Sequence, residues 1–414
     1  MSGRQGAKWA LFDQAIVSAA NFLTGLLVAR SLGASDLSAY SLAFTTINGL
    51  SSIQRAVVSQ PMNILGAAET AEQRWARYCG LLRAQAWLWP ACLPLIMGLG
   101  CLYFPNPWLI AGTAFFLLAF CLQDMVRRFH YSGGEQVARA LPIDLLAFAG
   151  QLLLLLAGWE LGQIGAGSVL WWMGAPLLLA FLWGHAQLRR TRGDLTQVPA
   201  TAPLLGEHWQ HSRWIALSIV LFLASSQLLP FQIATFGDAH AVADYHAANV
   251  LMNALNVVRF TVGNYLPGRA AAILADSGMD GLRRYLARLA VAYGVLGALA
   301  LGLFVALGPW LIELLFKGQY PGAEALIGPM ALIHLLAMSS LVTTTGAQVL
   351  GETRLIFLAN VAATVAAWAL GPWLITHHGM PGALGSLALG LLVPAFIQAV
   401  QLPWLLRRPP TASL

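Results

Sequence analysis

Charge is what this sequence has least of. Of its 414 residues only 10% are charged, whereas 58% are hydrophobic and the mean hydropathy is +0.67. A soluble chain of this size carries about 25% charged residues on its surface. The composition therefore excludes a water-soluble globular protein and predicts an all-α polytopic membrane protein. Cysteine is scarce as well. Cys79, Cys92, Cys101 and Cys121 form no CxxC and have no histidine at metal-ligand spacing, so they read as reduced packing residues, with no metal site expected. A GxxxxGK[ST] phosphate loop is missing, which excludes ATP hydrolysis by this chain.

What is present is a series of apolar runs. Stretches of about 20 apolar residues, enough to cross a hydrocarbon core, recur twelve times: 9–29, 38–65, 81–104, 108–126, 141–159, 166–188, 212–236, 245–267, 286–311, 326–350, 355–375 and 381–405. Asp13 and Gln14 interrupt the first run and no small-residue cleavage site follows it, so it is expected to be kept rather than removed as a signal peptide. Nearly all of the 23 Lys and Arg residues fall in alternate connections; Arg30 and Lys317 lie on the opposite side, and Arg55 and Arg259 lie inside spans. Basic loops stay cytoplasmic. The expectation is twelve spans in the cell's inner membrane with both termini cytoplasmic. The external connections are short, and the longest, 312–325, offers Glu313, Lys317 and Glu324. That is too little chain to shelter a catalytic site from water, so a polymerase, ligase or glycosyltransferase is not expected.

The two halves look related. Ala29 to Tyr40 parallels Ala234 to Tyr245, Asn48 parallels Asn253, Arg55 parallels Arg259, and a proline closes each run at Pro61 and Pro267. Between the halves lies the polar stretch Arg189–His211. The expected organisation is an N-terminal six-helix lobe (1–188), a cytoplasmic linker (189–211) and a C-terminal six-helix lobe with a short cytoplasmic tail (212–414). Six spans return the chain to the same side, so the repeat is parallel, about an axis along the membrane normal. That is the build of an alternating-access transporter. Proline recurs within spans, and Pro230 is positioned to bend the helix that opens the second half.

Arg55 and Arg259 carry the chemistry. Arg55 lies 17 residues after Ser38, and Arg259 lies 17 after Val242, about 25 Å along each helix. An arginine at such depth costs roughly 2.5–3.5 kcal/mol on insertion scales and faces a wet cavity or a partner. Two such guanidiniums across a cavity suit a diphosphate, whose geometry their planar forks match. The alternative is that each caps helix carbonyls or pairs within its own lobe. Asn48, Gln54, Asn253 and Asn256 suit sugar hydroxyls, or hydrogen-bond helix to helix. Asp13 is a carrier for a coupling proton or sodium ion, or equally a helix-start carboxylate stabilised by the dipole and Lys8. His334 is a packing histidine or a proton relay. Asp124 and Asp144, beside Arg127 and Arg139, are expected to form ion pairs at the internal surface.

The segment Phe12-Asp-Gln-Ala-Ile-Val-Ser-Ala-Ala-Asn21, the run Leu32-Gly-Ala-Ser-Asp36 and the run Ile53-Gln-Arg-Ala-Val-Val-Ser-Gln-Pro61 resemble the N-terminal region of Wzx-type polysaccharide flippases. These belong to the multidrug/oligosaccharidyl-lipid/polysaccharide exporter (MOP) superfamily. Leu315-Phe-Lys-Gly-Gln-Tyr320 and Gly351-Glu-Thr-Arg354 resemble its second half. The resemblance implies a MATE-like fold of two six-helix lobes and transfer of a polyprenyl-diphosphate-linked oligosaccharide to the outer leaflet, driven by a proton or sodium gradient with no cofactor. It implies as partners the lipid-linked oligosaccharide, membrane lipids, a polysaccharide polymerase and glycosyltransferases, and no nucleic acid. Substrate binding then falls to Arg55, Arg259, Arg30, Gln54, Asn48, Asn253 and Asn256, and ion coupling to Asp13. A lipid II-type flippase and a cation-coupled multidrug exporter of the same superfamily are the alternatives.

Overall fold

The computed structural model describes residues 3–66, 69–132, 137–193, 199–238, 240–338, 340–350 and 352–406. These residues are helical almost throughout, with no strand among them. In chain order the helices are α1 (Gly3–Ser31), α2 (Ala34–Gln54), α3 (Gln60–Gly66), α4 (Ala71–Tyr103), α5 (Pro107–Ser132), α6 (Val137–Asp144), α7 (Gly150–Glu160), α8 (Val169–Arg192), α9 (Thr201–Phe222), α10 (Leu229–Phe236), α11 (Ala241–Phe316), α12 (Ala323–Met338), α13 (Ser340–Val349) and α14 (Thr353–Leu405). Wider π-helical turns at Arg55–Ser59, Leu145–Ala149 and Leu223–Gln227 join α2 to α3, α6 to α7 and α9 towards α10.

Two of these helices are too long to be single crossings. The 76 residues of α11 and the 53 of α14 would measure about 114 and 80 Å if straight, against a hydrocarbon core of about 30 Å. Each is broken at one glycine, Gly278 (φ 63°, ψ −164°) and Gly379 (φ 57°, ψ −131°), in backbone territory that residues with a side chain reach only under strain. With those breaks, and with each π-turn bridging its neighbours, the helices group into runs consistent with the twelve expected spans. Among the described residues seven helices have the length and apolarity of a crossing, and an eighth does if Ser212–Gln227 and Leu229–Phe236 count as one bent span. The chain is a multi-pass membrane protein. That bent pair turns by 42°, with Pro230 in the first turn of α10, as its sequence position implied.

Two compact units divide at Val220 and Leu221. α9 begins inside the polar connector, and its first turns belong to the first unit. In that unit α8 packs on α5 where Gly174 meets the Phe115 ring and Gly184 meets Val126, and on α6 where Gly184 meets Ile143, positions at which a Cβ would stand under 3.0 Å from those side chains. Small residues of this kind let membrane helices approach. Tyr40 is buried and stacks on Phe44 at 5.5 Å. Its repeat-related counterpart Tyr245 is buried in the second unit.

In the second unit, the Leu315–Tyr320 motif ends α11. Lys317 and Gly318 take left-handed conformations (φ 51° and 75°), and Phe316 and Tyr320, both buried, meet edge to face at 5.5 Å. Gln232 accepts the Ser386 hydroxyl at 2.8 Å and is buried, so this amide joins helices rather than facing a cavity. His334 is likewise a packing residue: its Nδ1 lies 2.9 Å from the Met330 carbonyl of its own helix.

Candidate functional site

The site begins with Pro61. A proline has no N–H, and its ring crowds the carbonyl four residues earlier, here Val57. The helix responds by widening: from Arg55 to Ser59 it becomes a π-turn, in which the Gln60 N–H reaches back five residues to the Arg55 carbonyl. Bulges of this kind cluster at functional sites. Arg55 is the first residue of the widened turn, so its side chain leaves the helix where the regular ladder is interrupted. The freed Val57 carbonyl finds a partner far along the chain, Nδ1 of His208 at 3.3 Å.

Because a carbonyl only accepts, His208 donates Nδ1–H to it. Nε2 is then the acceptor, facing Arg77 Nη1 at 3.1 Å. Burial and the Arg77 charge hold His208 below its ordinary pKa, keeping it neutral. Arg77 in turn donates to Glu69 at 2.8 Å and to Glu207 at 3.0 Å, and the Trp75 indole donates to the Gly193 carbonyl at 3.2 Å. The first turns of α9 are thereby tied to α4 and to the π-turn.

Beneath the turn lies a charge cluster. Asp124 of α5, with its side chain only 4% exposed, accepts the Ser59 hydroxyl at 2.8 Å and Arg128 Nε at 3.4 Å. Arg55 Nε stands 3.7 Å away, an ion-pair distance but too long for a hydrogen bond, and Nε has no hydrogen-bond partner. The Arg55 side chain is 37% exposed and its guanidinium lies 5.3 Å from the Phe120 ring centre. A second buried carboxylate, Asp144, stands 2.6 Å from Arg127 Nε and accepts the Gln123 amide at 2.6 Å. Among the described residues Arg55, Arg127 and Arg128 share two carboxylates, one positive charge in excess, and Arg55 is the most exposed of the three.

The expectation for Asp124 and Asp144 is corrected in part. Neither is at a surface, because three arginines allow both carboxylates to be buried. Asp124 pairs with Arg55 and Arg128, while Arg139 points outward. Of the other expected site residues, Gln54 is next to Arg55 and donates to Gln85 at 3.4 Å. Asn48 is exposed two helical turns before Arg55, on the same face of the helix. Arg30 is half-buried in the last turn of α1, where a cation suits the helix dipole. Asn253 is exposed on α11. Asp13 lies on α1, and Asn256 and Arg259 on α11, but their side chains fall outside the described residues. Sequence reasoning missed Ser59, Gln85 and His208. Only Ser59 carried a usable signal, lying one turn after Arg55.

No protein-family model matches this chain, and no curated protein matches it. Solved structures do. The chain is similar to an inward-facing multidrug-resistance MATE transporter of the MOP superfamily, with a TM-score of 0.74 and 15% identity over 95% of each chain. It is similar to the lipid II flippase MurJ, with a TM-score of 0.70 and 10% identity over 96% of this chain and 87% of the other. It is also similar to a MOP superfamily transporter from Pyrococcus furiosus, with a TM-score of 0.66 and 14% identity over 98% and 96%. The chain has the fold of the MOP transporters, one shared by multidrug exporters and a lipid II flippase.

Proposed function

We propose that the protein moves a polyprenyl-diphosphate-linked oligosaccharide from the cytoplasmic to the outer leaflet, by cation-coupled alternating access, for cell-surface polysaccharide assembly. It works in the inner membrane with both termini cytoplasmic, alongside glycosyltransferases and a polymerase. One observation carries this reading: the Arg55 side chain is 37% exposed at the edge of a cluster that, among the described residues, has more cations than carboxylates. Such a group is built to receive an anion. A diphosphate supplies several acceptor oxygens and accepts bidentate pairing. Asn48 and Gln54 on the same helix would meet the adjoining sugars, with Arg30 guiding the headgroup outward. Arg259, at the repeat-related position, is the second arm. A cationic drug would be held by open carboxylates, whereas Asp124 and Asp144, the two described carboxylates of this cluster, are buried and paired.

The function is tested by reconstituting the purified protein in liposomes with a fluorescent polyprenyl-diphosphate oligosaccharide in the inner leaflet, under an imposed proton or sodium gradient. Gradient-dependent appearance of the glycan outside is the expected result. Transport of a cationic dye without glycan transport would overturn the proposal.

A further inference from the structure

The second unit contains a cleft of its own. It encloses about 640 Å³ between α11 beyond its Gly278 break, α12, α13 and the end of α14. Its walls are almost wholly aliphatic, with Gly294, Gly297, Leu336 and Leu402 among them. This part of α11 is the least covered helix of the unit: Val291 and Leu299, beside the cleft, are each 67% exposed. The cleft therefore opens towards the hydrocarbon of the bilayer, and its occupant arrives from there.

Two polar features say what that occupant is. Arg283 stands at one end of the cleft. It donates to Asp280 and to the Leu406 carbonyl, which leaves three of its five N–H groups. Arg284 and Arg288 are exposed on the following turns, so this end is basic despite Asp280. The second feature is Tyr293, whose hydroxyl is buried in the wall without a hydrogen-bond partner. A buried unpaired hydroxyl is costly unless a ligand completes it. Tyr293 lies ten residues beyond Arg283 on the same helix, about 15 Å along its axis, the side of the cleft's basic end that faces the acyl region. The wall runs from Arg283 to Leu301, about 27 Å along the axis. That is a little over half the 40–45 Å thickness of a bilayer with its headgroups, the depth of one lipid in one leaflet.

We infer that this cleft is a binding site for one anionic phospholipid of the surrounding leaflet, its phosphate on Arg283, an ester oxygen on the Tyr293 hydroxyl and an acyl chain along Gly294 and Gly297. The lipid is a resident of the transporter rather than its cargo.

The test is native mass spectrometry of the full-length protein released from nanodiscs of equimolar phosphatidylglycerol and phosphatidylcholine. Wild type retains one phosphatidylglycerol, about fivefold over phosphatidylcholine, the preference one basic residue gives at a membrane surface. Gly294→Leu fills the cleft. A Cβ at Gly294 meets nothing within 4 Å, so the variant folds, keeps its melting temperature and loses the lipid. Arg283→Gln keeps a lipid but not the preference for phosphatidylglycerol. Equal retention of both lipids by wild type would overturn the proposal, as would undiminished retention by Gly294→Leu. So would displacement of phosphatidylglycerol by added polyprenyl phosphate, which would assign the cleft to the cargo.

Discussion

Asp124 holds Arg55 at 3.7 Å, close enough to lower the cost of a charge in the bilayer and too far to fill its hydrogen-bonding fork. The carboxylate is already occupied, at 2.8 Å by Ser59 and at 3.4 Å by Arg128. A transporter's binding group needs both properties. It must be stable while the site is empty, and it must still have donors to offer when the cargo arrives.

The first prediction concerns that carboxylate. Asp124→Asn leaves Arg55 and Arg128 without their shared counter-charge and should destabilise the fold by about 3–5 kcal/mol, as for other broken buried pairs. Ser59→Ala removes one hydrogen bond to the same carboxylate and should cost about 1.5–3 kcal/mol. Unfolding midpoints in detergent measure both. A loss under about 1 kcal/mol for Asp124→Asn would mean that other groups hold the arginines.

Pro61 sets the geometry of the Arg55 turn. Pro61→Ala restores an N–H able to reach the Val57 carbonyl, so the π-turn should relax into regular helix. Removing one residue's worth of bulge rotates the flanking segments by about 100° relative to each other and turns Arg55 away from its position. Glycan export per inserted molecule should fall sharply while protein abundance holds. Full export by this variant would separate the bulge from function.

His208 makes stability depend on pH. Its pKa in the fold lies below the ordinary 6.5, so between those two values the unfolded chain binds more protons than the folded one. Stability therefore rises with pH through that window and levels off above about 6.5. His208→Asn keeps a donor for Val57 but does not titrate, and its melting temperature should rise less steeply with pH over the same range. A slope left unchanged by the substitution would assign it to other groups.

The coupling site is tested at Asp13. Asp13→Asn should insert at normal abundance and lose the dependence of export on the ion gradient. Unchanged dependence would make Asp13 a helix-start carboxylate.

The fold was legible in the sequence because membranes leave few options: apolar runs of span length, basic residues in alternate connections and a repeat of two tyrosines and two arginines. The importance of Arg55 was legible because a charge in a span is expensive. Its surroundings were not. Asp124 lies 65 residues from Ser59 in the chain and His208 lies 151 from Val57, and no local pattern encodes such pairings. The contacts of the connector have no local signal either, since Glu207 and His208 meet Arg77 from 130 and 131 residues along the chain.

The most direct test of the account measures the affinity of the nanodisc-embedded protein for a polyprenyl-diphosphate oligosaccharide, with wild type compared to Arg55→Ala and Arg55→Lys at matched abundance. Truncating a charge that grips a diphosphate should cost about 2–5 kcal/mol, or roughly 30-fold to several thousand-fold in Kd. Lysine keeps the charge without the planar fork and should fall between alanine and wild type. Glycan export should follow the same order. Wild-type affinity and export in Arg55→Ala would contradict the account, making Arg55 a structural partner of Asp124.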